Sequence, residues 1–141
     1  MSFQDCITFA NEIHTCFFAT EDGDQPRVRG IGLWFADEKG FYFQTETVKA
    51  FNKQLMKNKK VEFCFMKDMK ILRVTGEVEF LNDLSLKERV LKERPFLNGL
   101  GIDKAENPLL VVFRVHKGEA YFWTMADNMK EADIKRIKFG S

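Results

Sequence analysis

The stretch FYFQTETVKAFNKQL, residues 41–55, passes from a strand pattern straight into a helical one. A helix amino terminus presents unpaired backbone N–H groups and a partial positive charge. Thr45 and Thr47 add hydroxyl donors there and Lys49 adds a full charge, which together make the donor set of a phosphate site. The same residues also suit a plain helix start, with Thr47 as N-cap and Lys49 as a solvated lysine. Upstream, in RVRGIGLWF, Arg27 and Arg29 share one face with Ile31 and Leu33, while Val28, Gly30, Gly32 and Trp34 fall on the other. Two arginines beside glycines suit bidentate contact with a phosphate or a carbonyl-rich ring, the alternative being pairing with Asp or Glu on an exposed strand face. Glycine inside a strand marks the close approach of a ligand or of another backbone. The combination calls for a ligand with both a phosphate and a flat ring, on which Trp34 or Trp123 would stack.

Other chemistries have less support. His14 and His116 are the only histidines, both inside apolar patterns, and no Cys, Asp or Glu joins either at metal-ligand spacing. No Gly-x-Ser-x-Gly elbow or Walker loop occurs, so acyl transfer and nucleotide hydrolysis have no local motif. The lysines at 49, 53, 57, 59 and 60 lack interleaved aromatics and read as a solvated helix face. Lys and Arg number 22 against 21 Asp and Glu, a net charge of +1 that argues against nucleic acid as the partner. Cys6, Cys16 and Cys64 lack knuckle or redox-pair spacing and sit in apolar stretches, as reduced packing residues do. The first 16 residues contain neither a basic start nor a long apolar run, so the expectation is a cytoplasmic protein without a membrane span.

The elements that must position these residues follow from periodicity. The 141 residues suffice for one domain, 1–141, with a single core. Phe3, Cys6, Ile7, Ala10 and Ile13 space an amphipathic helix within residues 1–14. Strands are expected at 16–20, 27–35, 41–45, 61–66, 70–81, 109–115 and 119–124, with turn chemistry in EDGDQP and ADEKG. One helix is expected from Thr47 to about Asn58, and another, capped by Asp83, up to Glu93 before Pro95. Residues 125–141 read as a polar, basic tail. Six or seven short strands with inserted helices predict a mainly β (α+β) fold, a closed or nearly closed antiparallel barrel.

The segments QPRVRGIGLWF, EKGFYFQTETVKAFNKQL, NKKVEFCF, LRVTGEVEF and EAYFWT, in that order across residues 15–124, resemble the flavin mononucleotide (FMN)-binding split β-barrels related to pyridoxamine 5′-phosphate oxidase. The resemblance implies FMN as cofactor. It places Arg29, Gly30 and Ile31 along the flavin, with Arg27 a phosphate partner, and Gln44 and Thr45 at the strand end touching the cofactor. It assigns Thr47 and Lys49 to the phosphate, and Trp123 to the flavin of the other subunit of a homodimer. The family's vitamin-processing oxidases carry a substrate lysine five residues beyond the strand arginine, where this chain has Trp34, and an arginine and histidine pair absent from TMADNMKEAD. The implied activity is therefore FMN-dependent oxidoreduction with NAD(P)H or another small redox partner, not pyridoxamine phosphate oxidation. The alternatives are a non-catalytic or stress-associated flavin binder, or a relative using deazaflavin or haem, with His14 or His116 as axial ligand.

Overall fold

The structure, a computed structural model, describes residues 1–140. Helix α1 (Phe3–Ile13) opens the chain. Eight strands then follow among the described residues: β1 (Thr15–Asp22), β2 (Gln25–Gly32), β3 (Phe35–Asp37), β4 (Gly40–Glu46), β5 (Lys60–Lys67), β6 (Lys70–Phe80), β7 (Leu110–Trp123) and β8 (Ile137–Phe139). Helix α2 (Ala50–Lys57) joins β4 to β5, and α3 (Leu84–Glu93) lies between β6 and β7. The sheet is antiparallel in the order β2-β1-β5-β6-β7-β4-β3, with β8 paired to β7.

Side chains across the core show how far the sheet coils. Phe18 of β1 stands 5.2 Å from Phe43 of β4, although β5, β6 and β7 separate these strands in the ladder order. The sheet wraps around a core of phenylalanines without closing, because its two end strands, β2 and β3, share no ladder. This is a split barrel, as expected, and the split lies between the β2 edge and the β4 to α2 junction. Phe18 also meets Phe51, Phe63 and Phe113 in edge-on or stacked pairs at 5.0–6.1 Å, the geometry aromatic quadrupoles favour. One end is covered by α1, which buries Cys6, Ile7 and Ala10, and the other by α2 through Phe51 and Leu55. A second cluster lies on the outer face of β4 and β7, where Tyr42, Leu110 and Val112 pack with Trp34, Val90 and Leu97 beneath α3.

Several boundaries differ from the sequence expectation. The strand expected over 27–35 ends at Gly32: the Leu33 N–H goes to the His14 carbonyl at 2.8 Å and the Trp34 N–H to the Tyr42 carbonyl at 2.9 Å before β3 begins. Leu33 enters the main core and Trp34 the second cluster, so the chain crosses the split there. The strands expected at 109–115 and 119–124 are one 14-residue strand, β7. Its Lys117 (φ 50°) and Gly118 absorb a register shift opposite Thr75 and Glu77 instead of making a turn. Glycine is required at 118, since a Cβ would fall 1.7 Å from the Thr75 carbonyl oxygen. Helix α2 starts at Ala50, not Thr47, because the Thr47 and Lys49 N–H groups bond to the Leu109 and Glu46 carbonyls in an intervening turn. The tail is ordered on its own chain: β8 pairs with β7, and Phe139 is buried against Phe3 at 4.7 Å. All three cysteines are free, and burial pushes the Cys6 thiol up to about 11 and the Cys16 thiol to about 12.

Candidate functional site

Pro26 fixes which side of β2 is free. Lacking an N–H, it must occupy a non-hydrogen-bonded pair, here with Glu21. Thr20 with Arg27, Phe18 with Arg29 and Cys16 with Ile31 are then the exchanging pairs. The N–H and C=O groups of Val28 and Gly30 consequently face outward along the open edge. Gly30 has no side chain to screen them, and a Cβ there would meet only the Phe17 ring at 3.9 Å.

Two guanidinium groups span the split. Arg29 points inward from β2: Nη1 donates to the Thr20 hydroxyl at 2.8 Å and the Phe18 carbonyl at 3.2 Å, and Nη2 to Gln54 Oε1 of α2 at 2.7 Å. Its guanidinium lies 4.6 Å from the centre of the Phe51 ring. Arg94, which ends α3, donates from Nη2 to the Leu33 carbonyl at 2.5 Å and the Gly32 carbonyl at 3.3 Å, and from Nη1 to Gln44 Oε1 at 2.7 Å. Among the described residues neither meets a carboxylate within ion-pair distance, whereas Arg27, Arg73, Arg89 and Arg114 all do. Desolvation lowers the pKa of both, yet a guanidinium starts so high that each keeps its charge. With five N–H donors apiece, each retains unused donors and unneutralised charge.

The start of α2 completes the set. Its N-cap, Lys49, makes no side-chain cap, in contrast to Asp83 of α3, which accepts from the Ser85 N–H. Thr45 is 2% exposed and its hydroxyl has no partner; Asn52 Oδ1, in the first turn of α2, is likewise buried and unpartnered. A buried polar atom without a partner costs about 1–3 kcal/mol, so these atoms fit a ligand with matching groups. Gln44 and Thr45, adjacent on β4, point to opposite faces: Thr45 into the barrel end, Gln44 outward to Arg94 and, through Nε2, to Glu46 at 2.8 Å. Glu46 also takes the Lys49 ammonium at 2.9 Å.

The residues singled out from sequence therefore divide. Arg29, Gly30, Ile31, Gln44, Thr45 and Lys49 lie on the two sides of the split. Thr47 is exposed in the turn before α2. Arg27 pairs with Asp22 at 3.3 Å on the exposed hairpin, as the surface reading had it. Trp34 is no stacking platform: it is buried, with its indole N–H donating to Glu93 Oε1 at 2.9 Å. Trp123 ends β7, half-buried, opposite Ile71. His14 accompanies the exit of α1 with φ 64° and its Nδ1 is 3.1 Å from the Leu33 carbonyl oxygen; His116 stands 3.9 Å from Glu79. Sequence reasoning missed Arg94, Glu46, Gln54 and Asn52. Alternation along β4 placed Glu46 on the Gln44 face, but nothing local connects Arg94 to β2. A cleft of about 690 Å³ lies elsewhere, lined by Thr20, Lys60, Glu62, Gly76, Lys117 and Glu119 among others, and is open and mixed in charge.

Comparison with known proteins agrees with this architecture. The sequence profile of the pyridoxamine 5′-phosphate oxidase family matches residues 4–124. Among solved structures, a NimC/NimA family protein from Clostridium acetobutylicum superposes with a TM-score of 0.78 at 28% identity, over 95% of this chain and 91% of that one. The general stress FMN/FAD-binding protein of Xanthomonas citri (0.67, 14% identity, 86% and 87%) and HutZ, the haem storage protein of Vibrio cholerae (0.65, 16%, 88% and 95%), share the fold. No curated protein sequence matches the chain. Among the described residues no helix is long and apolar enough to cross a membrane, and no cluster of three His, Cys, Asp or Glu could hold a metal ion.

Proposed function

The chain belongs to the pyridoxamine 5′-phosphate oxidase family, and on that premise we propose that it is an FMN-binding flavoprotein, a cytoplasmic homodimer passing electrons from NAD(P)H or a comparable donor to a small acceptor. The observation that carries the reading is the bare outer edge of β2 at Gly30, flanked by two guanidiniums that only neutral acceptors hold. A flavin offers what that arrangement lacks: a planar ring whose edge alternates acceptors and donors, and a phosphate dianion. The residues present fit the group. The backbone at Val28 and Gly30 reads the ring edge, and Arg29 and Arg94 supply positive charge along it. The Thr45 hydroxyl, Lys49 and the uncapped N–H groups of α2 take the phosphate.

Bound flavin supplies reversible electron-pair acceptance and donation. The protein's part is orientation and electrostatics. Unneutralised guanidiniums in a partly desolvated seam favour added negative charge on whatever they face. The reading asks for no side-chain proton donor. Phe17 and Val28, 51% and 69% exposed, flank Gly30 on a sheet face that no helix covers. A second copy seated there would bury them and bring its own Trp123 toward the ring. An absorbance spectrum of the purified protein, with the heat-released cofactor weighed by mass spectrometry, tests the reading. FMN near one per chain is expected; a colourless protein that does not bind added FMN overturns it.

A further inference from the structure

Two residues that the resemblance assigns to the cofactor, Gln44 and Lys49, are held by one side chain that it does not mention. The Glu46 carboxylate is 9% exposed; Oε2 accepts from Gln44 Nε2 at 2.8 Å and Oε1 takes the Lys49 ammonium at 2.9 Å. A continuous chain results, from the Gly32 and Leu33 carbonyls through Arg94, Gln44 and Glu46 to Lys49. The Lys49 backbone N–H also bonds to the Glu46 carbonyl at 3.2 Å, so the turn that delivers the lysine to the start of α2 delivers the carboxylate with it. A negative charge thus stands beside Lys49, at a helix start that no side chain caps.

We propose that Glu46 is the specificity-determining residue of this site: an internal anion that occupies Lys49 and that a ligand phosphate must displace. It sets how strongly the chain prefers a phosphorylated flavin over its dephosphorylated form. The inference rests on the flavin reading. A phosphate dianion and a carboxylate cannot both lie within ion-pair distance of one ammonium without strong mutual repulsion, so binding requires Glu46 to swing out or to remain beside the phosphate as a like charge. Either way the phosphate contribution is reduced, while contacts to the ring, which lie along β2, are unaffected.

The test is the dissociation constant of FMN and of riboflavin, each titrated against the wild type, Glu46→Gln, Lys49→Met and the double variant. Glu46→Gln keeps the shape and can still accept from Gln44; Glu46→Ala replaces it if that variant does not fold. FMN is expected to bind the Glu46 variant tenfold tighter or more, with riboflavin within twofold of wild type, and the gain is expected to vanish when Lys49 is Met. FMN binding that is unchanged or weaker in the Glu46 variant, with riboflavin unchanged, overturns the proposal and leaves the flavin reading standing. A wild type that binds neither flavin overturns both.

Discussion

Helices α2 and α3 begin under opposite rules. At α3, Asp83 accepts from the Ser85 backbone and hydroxyl, and these hydrogen bonds hold its carboxyl below the usual range. Negative charge at a helix start and a satisfied first turn are what stability alone dictates. At α2 the cap position carries Lys49, whose sign opposes the helix dipole, no side chain caps the first turn, and the Thr45 hydroxyl beneath is orphaned. One chain contains both solutions, so α2 is not badly made through lack of means. Its first turn is left without a side-chain cap, which the proposed flavin reading accounts for by a ligand phosphate.

Breaking the α2 side of this comparison should have the largest consequences. Arg29→Ala removes the bridge from β2 to Gln54 and uncovers buried acceptors. The expected outcome is a loss of about 1–3 kcal/mol in denaturant unfolding together with FMN affinity lowered by a hundredfold or more; an unchanged affinity would remove Arg29 from the site. Lys49→Ser sharpens the contrast, because a serine cap suits the helix and carries no charge to pair with phosphate. FMN affinity should fall roughly ten- to a hundredfold, the equivalent of a charge-assisted contact of about 1.5–3 kcal/mol. The ligand-free protein gains a cap but leaves the Glu46 carboxylate without its cation, so its melting temperature should stay within a few degrees of wild type. Asp83→Ala is the mirror image: the melting temperature should drop by a few degrees while FMN binding is unaffected. Because the Asp83 pKa is lowered in the fold, its contribution is present above the ordinary carboxylate range and is lost as pH falls through the folded value.

An effect confined to alkaline pH and absent near neutrality gives a baseline away from both helix starts. Cys6 and Cys16 have folded pKa values raised to about 11 and about 12 from an ordinary 9.0. The unfolded chain therefore releases these protons first, and stability present below pH about 9 is lost as pH rises toward those values. Unfolding followed across that window should show the decline, and Cys16→Ala should flatten it.

Much of this was legible in the sequence, and the omissions have a common cause. Period-two alternation gave β4, β5 and β6 to within a residue or two, and the Asp83 cap marked α3. The break after Gly32 was hidden because Leu33 and Trp34 continue the apolar pattern while entering different cores. The continuity of β7 was hidden because His116, Lys117 and Gly118 resemble a turn but accommodate a bulge. The late start of α2 was concealed by Thr47, a good cap in isolation whose N–H is taken by Leu109. For the candidate site, local chemistry singled out Arg29 and Lys49, yet Arg94 lies 62 residues from the Gly32 carbonyl it holds. No periodicity reports contacts made across a coiled sheet.

The phenylalanine core carries an optical consequence. Fifteen phenylalanines but only two tryptophans occur in the chain, so the interior is nearly dark in near-ultraviolet emission and the two indoles report separate places. Trp34 sits in the second cluster, tied to Glu93 and edge-on to Phe35 at 4.8 Å. Trp123 ends β7 half-exposed. Emission from a Trp123→Phe protein follows the packing beneath α3, and emission from a Trp34→Phe protein follows the far end of β7, so the molecule holds two native probes that need no label.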